Sequence, residues 1–279
     1  MTWIPGARHE TLQARAEILE RIRSFFARND VLEVETPVLS NAGNSDPGIR
    51  QWFTQNPRAW LRTSPEYAMK RLLAAGSGDI YELGRVFRAE ESGRNHNREF
   101  TLLEWYRVGW TYHELMDEVS RLLDYSLPGR FFVEQRFSYR DLFREYADLD
   151  PFGASAPELG RRLDAAGIQL AEGHRAEYLD LLMSLVIQPQ LASDAVTFVY
   201  DFPPEQAALA RIRAGQPDVA ERFEVFLGPV ELANGYQELT DADEQAGRFA
   251  RENETRAQLG HPQVPIDQNL LDALRHGLP

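Results

Sequence analysis

Two alternating runs separated by a short polar gap constrain this chain more than any other feature. "DIYELGRVFRAEE" and "REFTLLEWYRVG" both carry Phe, Tyr, Val or Trp at strand-like spacing, and "SGRNHN" between them is a polar loop containing Gly93. Residues 85–106 are therefore predicted to form a β-hairpin rather than a charged helix. Alternation then assigns faces. Arg88 and Glu90 are two apart and are expected on one face of the first strand, while Phe100, Leu102, Glu104 and Tyr106 share a face of the second. Such a face is too charged for a core and too aromatic for a plain solvated surface. Arg neutralises a phosphate, Glu accepts from an exocyclic amine and Phe stacks on a flat base. A surface of cross-strand salt bridges is the alternative.

The rest of the chain supplies elements for that hairpin to join. In residues 9–29, Leu12, Leu19, Ile22 and Phe26 lie on one helical face, and charge fills the other. "VLEVETPVLS" alternates as a strand that Pro37 ends or places at an edge. "SPEYAMKRLLAAG" predicts a helix with Ser64 as cap, Pro65 in the first turn and Gly76 as stop. "TYHELMDEVSRLLDYSL" is amphipathic and helical. Residues 126–215 are less regular, and Pro- and Gly-punctuated helical runs predict a mostly helical insertion. "AVTFVYDFP" is a strand, and "RFEVFLGPVELANGYQEL" predicts two strands about a Gly-Pro turn. "DADEQAGRFARENETRAQLG" is a charged helix. The order of elements predicts an α+β fold with an antiparallel sheet.

Composition removes several classes of function. The chain has 279 residues, a net charge of −13 and no cysteine, so disulfides and Cys-ligated zinc are excluded and broad nucleic-acid binding is disfavoured. Its longest apolar run, near "LLMSLVI", is too short to span a bilayer. A second acidic group follows in Glu224, Glu231, Asn234 and Glu238. Glu224 and Glu231 lie seven apart across a turn, and two carboxylates brought together need a cation or proton between them; Mg²⁺ bridged to phosphate is the natural one. Asn234-Gly235 as a hairpin turn is the alternative.

Together these segments carry a resemblance. "VLEVETPVLS" resembles the first signature motif of class II aminoacyl-tRNA synthetases, and "FRAEESGRNHNREFTLLEWY" resembles the second. "RTSPEYAMKRLL" and "ELANGYQELTDADEQAGRF" are similar to the lysyl-tRNA synthetase branch. The catalytic motifs begin almost at residue 9, which leaves no room for an N-terminal anticodon-reading OB-fold. The chain thus resembles the elongation factor P (R)-β-lysyltransferase family, whose acceptor is a lysine on a tRNA-shaped protein. The resemblance implies one catalytic domain over residues 1–279, a class II antiparallel sheet flanked by helices, ATP and Mg²⁺, a lysine or (R)-β-lysine substrate, elongation factor P as partner, a homodimer and a cytoplasmic location.

Residue by residue, the resemblance implies that Arg88 contacts the α-phosphate and the amino-acid carboxylate as the catalytic cation. Glu90 holds the adenine amine, Phe100 stacks on the ring and His96-Asn97 line the loop. Glu224 and Glu231 bind Mg²⁺, Glu231 also belonging to the ATP site. Glu66 takes the backbone-side amine and Asn234 the carboxylate, while Glu104, Tyr106, Tyr236 and Glu238 complete the substrate pocket around the side-chain ammonium. Ala89 stands where the family commonly has Asn, and Arg98 where it has Pro. The sequence stops at "DALRHGLP", about where the third class II motif is expected to begin, so a missing motif-three strand and helix is also an expectation. That feature motivates an alternative reading, an impaired or regulatory paralogue that binds ATP and lysine without turnover. A lysyl-tRNA synthetase is the more distant one.

Overall fold

In the computed structural model, which describes residues 3–130, 132–169 and 173–279, the chain divides into two compact units, Met1–Trp110 with Thr240–Pro279, and Thr111–Leu239. The first begins with helix α1 (His9–Arg28) and short strands β1 (Leu32–Glu33), β2 (Leu39–Ser40), β3 (Phe53–Gln55) and β4 (Arg58–Leu61). Helix α2 (Glu66–Ala74), strands β5 (Ile80–Phe87) and β6 (Glu99–Tyr106), and helices α7 (Ala242–Gln258) and α8 (Gln268–His276) complete it. The second unit holds α3 (Tyr112–Ser126), β7 (Val133–Ser138), α4 (Tyr139–Ala147), α5 (Ala156–Ala165) and α6 (Arg175–Leu181). It continues with β8 (Ala195–Phe202), β9 (Ile212–Arg213), β10 (Val219–Leu227) and β11 (Val230–Tyr236).

The fold is α+β, with its strands in three sheets. In the first unit β5 and β6 form the predicted hairpin in an unbroken antiparallel register from Ile80 opposite Tyr106 to Phe87 opposite Glu99, and β1 joins β5 in parallel. Strands β2, β4 and β3 make a small antiparallel sheet of their own. The motif-like segment around Pro37 is thus two short strands rather than one, since proline has no N–H to continue a ladder. Helix α1 buries only its C-terminal end: Phe26 stacks on Tyr81 at 4.4 Å and lies 5.6 Å from Trp105, whereas Leu12 at the other end is exposed. Beneath the hairpin, Met69 and Leu73 of α2 pack with Ile80 and Tyr106. The buried Arg62–Glu82 pair, 2.6 Å apart, is fully wired by Thr36, whose N–H and hydroxyl both donate to Glu82. Its desolvation is thereby offset, and β5 is locked to the segment after β1.

In the second unit the sheet order is β11-β10-β8-β7, and β9 pairs with β10. All pairings are antiparallel except β7 with β8. A parallel pair needs a long crossover, and here α4, α5 and α6 supply it. The segment 126–215 holds the expected helices but also β7, whose sequence VEQRFS is too polar to announce a strand. Leu142, Phe143, Leu159, Leu163, Leu179 and Leu182 from these helices pack against Val199, Phe202 and Phe226. Helix α3 opens with a capping box: the Thr111 N–H donates to Glu114 at 2.8 Å, and the Thr111 hydroxyl accepts from the Glu114 N–H at 3.3 Å.

Candidate active site

Each unit carries one acidic cluster of its own. In the first, the turn into α2 brings Ser64 beside two glutamates. Ser64 Oγ accepts from the Glu66 N–H at 2.9 Å and donates to Glu104 Oε2 at 2.6 Å. Glu104 and Tyr106 lie on the same face of β6, as alternation predicted, and the Tyr106 hydroxyl donates to Glu104 Oε1 at 2.8 Å. Glu66 accepts from Lys70 Nζ one helical turn on, at 2.5 Å. Burial is the main force that pushes the Glu104 carboxyl up to about 7; the Glu66 charge adds to it, and the Ser64 and Tyr106 hydrogen bonds and Lys70 oppose it.

The same hairpin carries the residues expected to grip a nucleotide. The Arg88 guanidinium sits 5.3 Å from the Phe100 ring centroid and is paired with Glu91 at 3.0 Å. The expected shared face of Arg88 and Glu90 is not found. Strand β5 stops at Phe87, so the period of two no longer holds beyond it, and Glu90 turns out to solvent, 3.5 Å from Arg50. His96 and Asn97 lie in the exposed hairpin loop, which the backbone bonds between Gly93 and His96 close.

The second cluster is built on the β10–β11 hairpin. Phe226 stands opposite Glu231 across the ladder, and Glu224 opposite Asn234. Asn234-Gly235 is therefore strand, not turn. Glycine is needed there because a Cβ at 235 would meet Phe223 Cζ at 2.5 Å. Arg222, two residues before Glu224 and so on the same face, pairs with its carboxylate and donates to Asn234 Oδ1 at 3.2 Å. Burial pushes the Glu224 carboxyl up to about 7; Arg222 opposes this, and the charges of Glu231 and Asp180 add to it. These groups, with Tyr139 and Gln206, line a cavity of about 240 Å³. Tyr236 packs on the edge of this unit's core, and Glu238 follows β11, bridged to Ala210.

Set beside known proteins, residues 4–279 match the family described as tRNA synthetases class II (D, K and N). The chain belongs to that family. It is 47% identical to the elongation factor P–(R)-β-lysine ligase of Yersinia enterocolitica over 100% of this chain and 88% of the relative. It is 46% identical to the ligase of the same name in Photorhabdus laumondii over 99% of this chain and 88% of the relative. The corresponding Salmonella paratyphi B protein is 45% identical over 100% of this chain and 88% of its own length. Those names are names of ligases. They lend no support to an impaired paralogue or to a lysyl-tRNA activity.

Both clusters suit the groups a class II ligase uses. Among the described residues no group of three or more His, Cys, Asp or Glu is arranged to hold a metal alone. Two carboxylates suit Mg²⁺, which keeps water and phosphate oxygens in most of its coordination positions. Arg88 beside an aromatic face suits a phosphate next to a stacked base. Sequence reasoning missed Ser64 as a bridge, and with it Lys70 and Arg222. For Lys70 and Arg222 the signal was present, as the i,i+4 spacing from Glu66 and the i,i−2 spacing from Glu224. Among the described residues no helix is long and apolar enough to cross a membrane.

Proposed function

We propose that this protein activates (R)-β-lysine with ATP and transfers it to a lysine side chain of elongation factor P. The observation that carries this reading is the near-complete match of the chain, at 45–47% identity, to relatives that bear that ligase name. An acidic, hydrogen-bonded cluster at Glu66, Ser64 and Glu104 supports it, since a buried ammonium is costly unless paired. In this reading Glu66 receives the backbone-side amine, and Glu104, Tyr106, Tyr236 and Glu238 surround the side-chain ammonium. Asn234 holds the carboxylate. Arg88, Glu90, His96, Asn97, Phe100 and Glu231 belong to the ATP site.

The substrate carboxylate oxygen attacks the α-phosphorus in line; an O–P bond forms, the bond to the bridging oxygen breaks and pyrophosphate leaves. Arg88 holds the α-phosphate and offsets the charge that develops there. Glu224 and Glu231 would hold Mg²⁺, which supplies charge neutralisation on the phosphates when bound. The neutral ε-amine of the acceptor lysine then attacks the carbonyl of the mixed anhydride. An amide bond forms, AMP departs and the amine loses a proton. The same reading includes a cytoplasmic location and a homodimer. Mass spectrometry of elongation factor P incubated with the protein, ATP, Mg²⁺ and (R)-β-lysine is expected to show one added β-lysyl group on a lysine. An unmodified acceptor, with the aminoacyl-adenylate also absent, would sink the reading.

A further inference from the structure

The chain has 30 lysines and arginines, and Lys70 is the one lysine among them. It is also buried, at 1% exposure, with its ammonium 2.5 Å from Glu66 Oε1. An apolar side chain would fill the same space in α2 without the cost of desolvating a cation, and replacing buried ion pairs in this way is often neutral or stabilising. A chain that uses arginine everywhere else keeps a compact point charge at this position. Arginine's planar fork seeks two oxygens, whereas an ammonium suits one carboxylate oxygen reached along a helix. Lys70 donates to the Glu66 carboxylate, the Glu66 N–H donates to Ser64 and Ser64 donates to Glu104, while the Lys70 charge also acts on Glu104. Hydroxyl donors hold both oxygens of Glu104, and an incoming ammonium would add a cation beside them.

We propose that Lys70 is a positioning residue for the amine substrate: its ammonium fixes the Glu66 carboxylate in place, leaving Glu104 as the carboxylate that awaits the substrate's cation. This rests on the reading above, in which Glu66 and Glu104 receive the substrate's amines. The groups acting on Glu104 are Glu66 and Lys70 from α2, Ser64 from the preceding segment and Tyr106 from its own strand. Tyr67 of α2 faces Ser45, Asp46 and Glu252. Helix α8, packed on α2, places Asp272 and His276 beside Arg71.

Carbon-13 NMR of the glutamate side-chain carboxyls in the full chain tests the coupling without any turnover. Glu104 is assigned by the signal that Glu104→Gln removes. Lys70→Met is expected to raise the Glu104 midpoint by about one pH unit, and Lys70→Arg to return it towards that of the unsubstituted protein. Lys70→Gln keeps a donor to Glu66 without the charge and is expected to give the same rise; it decides the matter if Lys70→Met does not fold. An unmoved midpoint overturns the proposal. In pyrophosphate exchange, the neutral variants are expected to raise KM for (R)-β-lysine ~10-fold, leave KM for ATP unchanged and move the acid limb of kcat/KM upward. A uniform loss of kcat with the limb in place would assign Lys70 a merely structural role and also overturn the proposal. Unsubstituted protein that shows no exchange contradicts the functional reading instead.

Discussion

The two acidic clusters use the same physics with opposite wiring. Each holds a glutamate that burial pushes up to about 7, and each has one buried or half-buried cation. In the β10–β11 cluster that cation, Arg222, pairs directly with the raised acid, Glu224. In the α2–β6 cluster Lys70 pairs with the neighbouring Glu66, and Glu104 is left with neutral donors, the hydroxyls of Ser64 and Tyr106. On the proposed function, Glu224, already paired with a guanidinium, would share a hard cation with Glu231 and phosphate oxygens. On the same reading Glu104, hydrogen-bonded by hydroxyls and with Lys70 acting on it only through its charge, would take a direct charge partner from the ligand. The position of the resident cation, rather than the number of acids, would then set what each cluster recognises on the proposed function.

The largest expected effect falls on the nucleotide phosphate. Arg88→Ala is expected to lower pyrophosphate exchange by ~10²–10³-fold with the melting temperature little changed, because the side chain is partly exposed. Next, Glu224→Gln and Glu231→Gln are expected to raise the Mg²⁺ concentration needed for half-maximal exchange by ~10–100-fold, while Glu66→Gln raises KM for the amine substrate and leaves the Mg²⁺ midpoint in place. A Mg²⁺ midpoint that moves equally in all three variants would erase the distinction between the clusters.

A smaller effect is thermodynamic. The Glu104 carboxyl moves from an ordinary 4.5 to about 7 on folding, so between those values the folded state keeps a proton that the unfolded chain has released. Stability contributed by this group is therefore present at pH 4.5 and lost as pH rises to about 7. Glu104→Gln is expected to flatten that slope, by about 3 kcal/mol at most, in denaturant titrations across the range. The smallest effect is expected from Tyr106→Phe, which removes one donor to Glu104. It should cost about 1 kcal/mol and push the Glu104 midpoint further up, as carboxyl NMR would read.

Much of this architecture was legible where side-chain period and chain geometry agree. The β5–β6 hairpin, its loop and the shared face of Phe100, Glu104 and Tyr106 follow from alternation alone. The reading failed at Arg88 and Glu90 because a period of two was carried past Phe87, where the strand ends. Asn234-Gly235 resembles a turn by residue type, yet it lies in β11, paired with Glu224 and Phe223 of β10, and the glycine leaves room for the Phe223 ring. Strand β7 was hidden by its polar sequence; it is a strand because β8 offers a parallel edge, a tertiary fact no local window contains. The pairing of Lys70 with Glu66 was legible in its i,i+4 spacing, but its burial was not. One charge on an amphipathic helix reads as solvated, and only the packed structure shows the ammonium enclosed.

The central claim is that the α2–β6 cluster recognises a second ammonium. ATP–pyrophosphate exchange by the full chain with (R)-β-lysine, set against 3-aminohexanoic acid, which lacks the ε-ammonium but keeps the β-amine and carboxylate, tests it most directly. The account predicts exchange with the diamine and a value at least ~100-fold lower in kcat/KM with the monoamine. Equal exchange with both compounds, or none with the diamine, would contradict it.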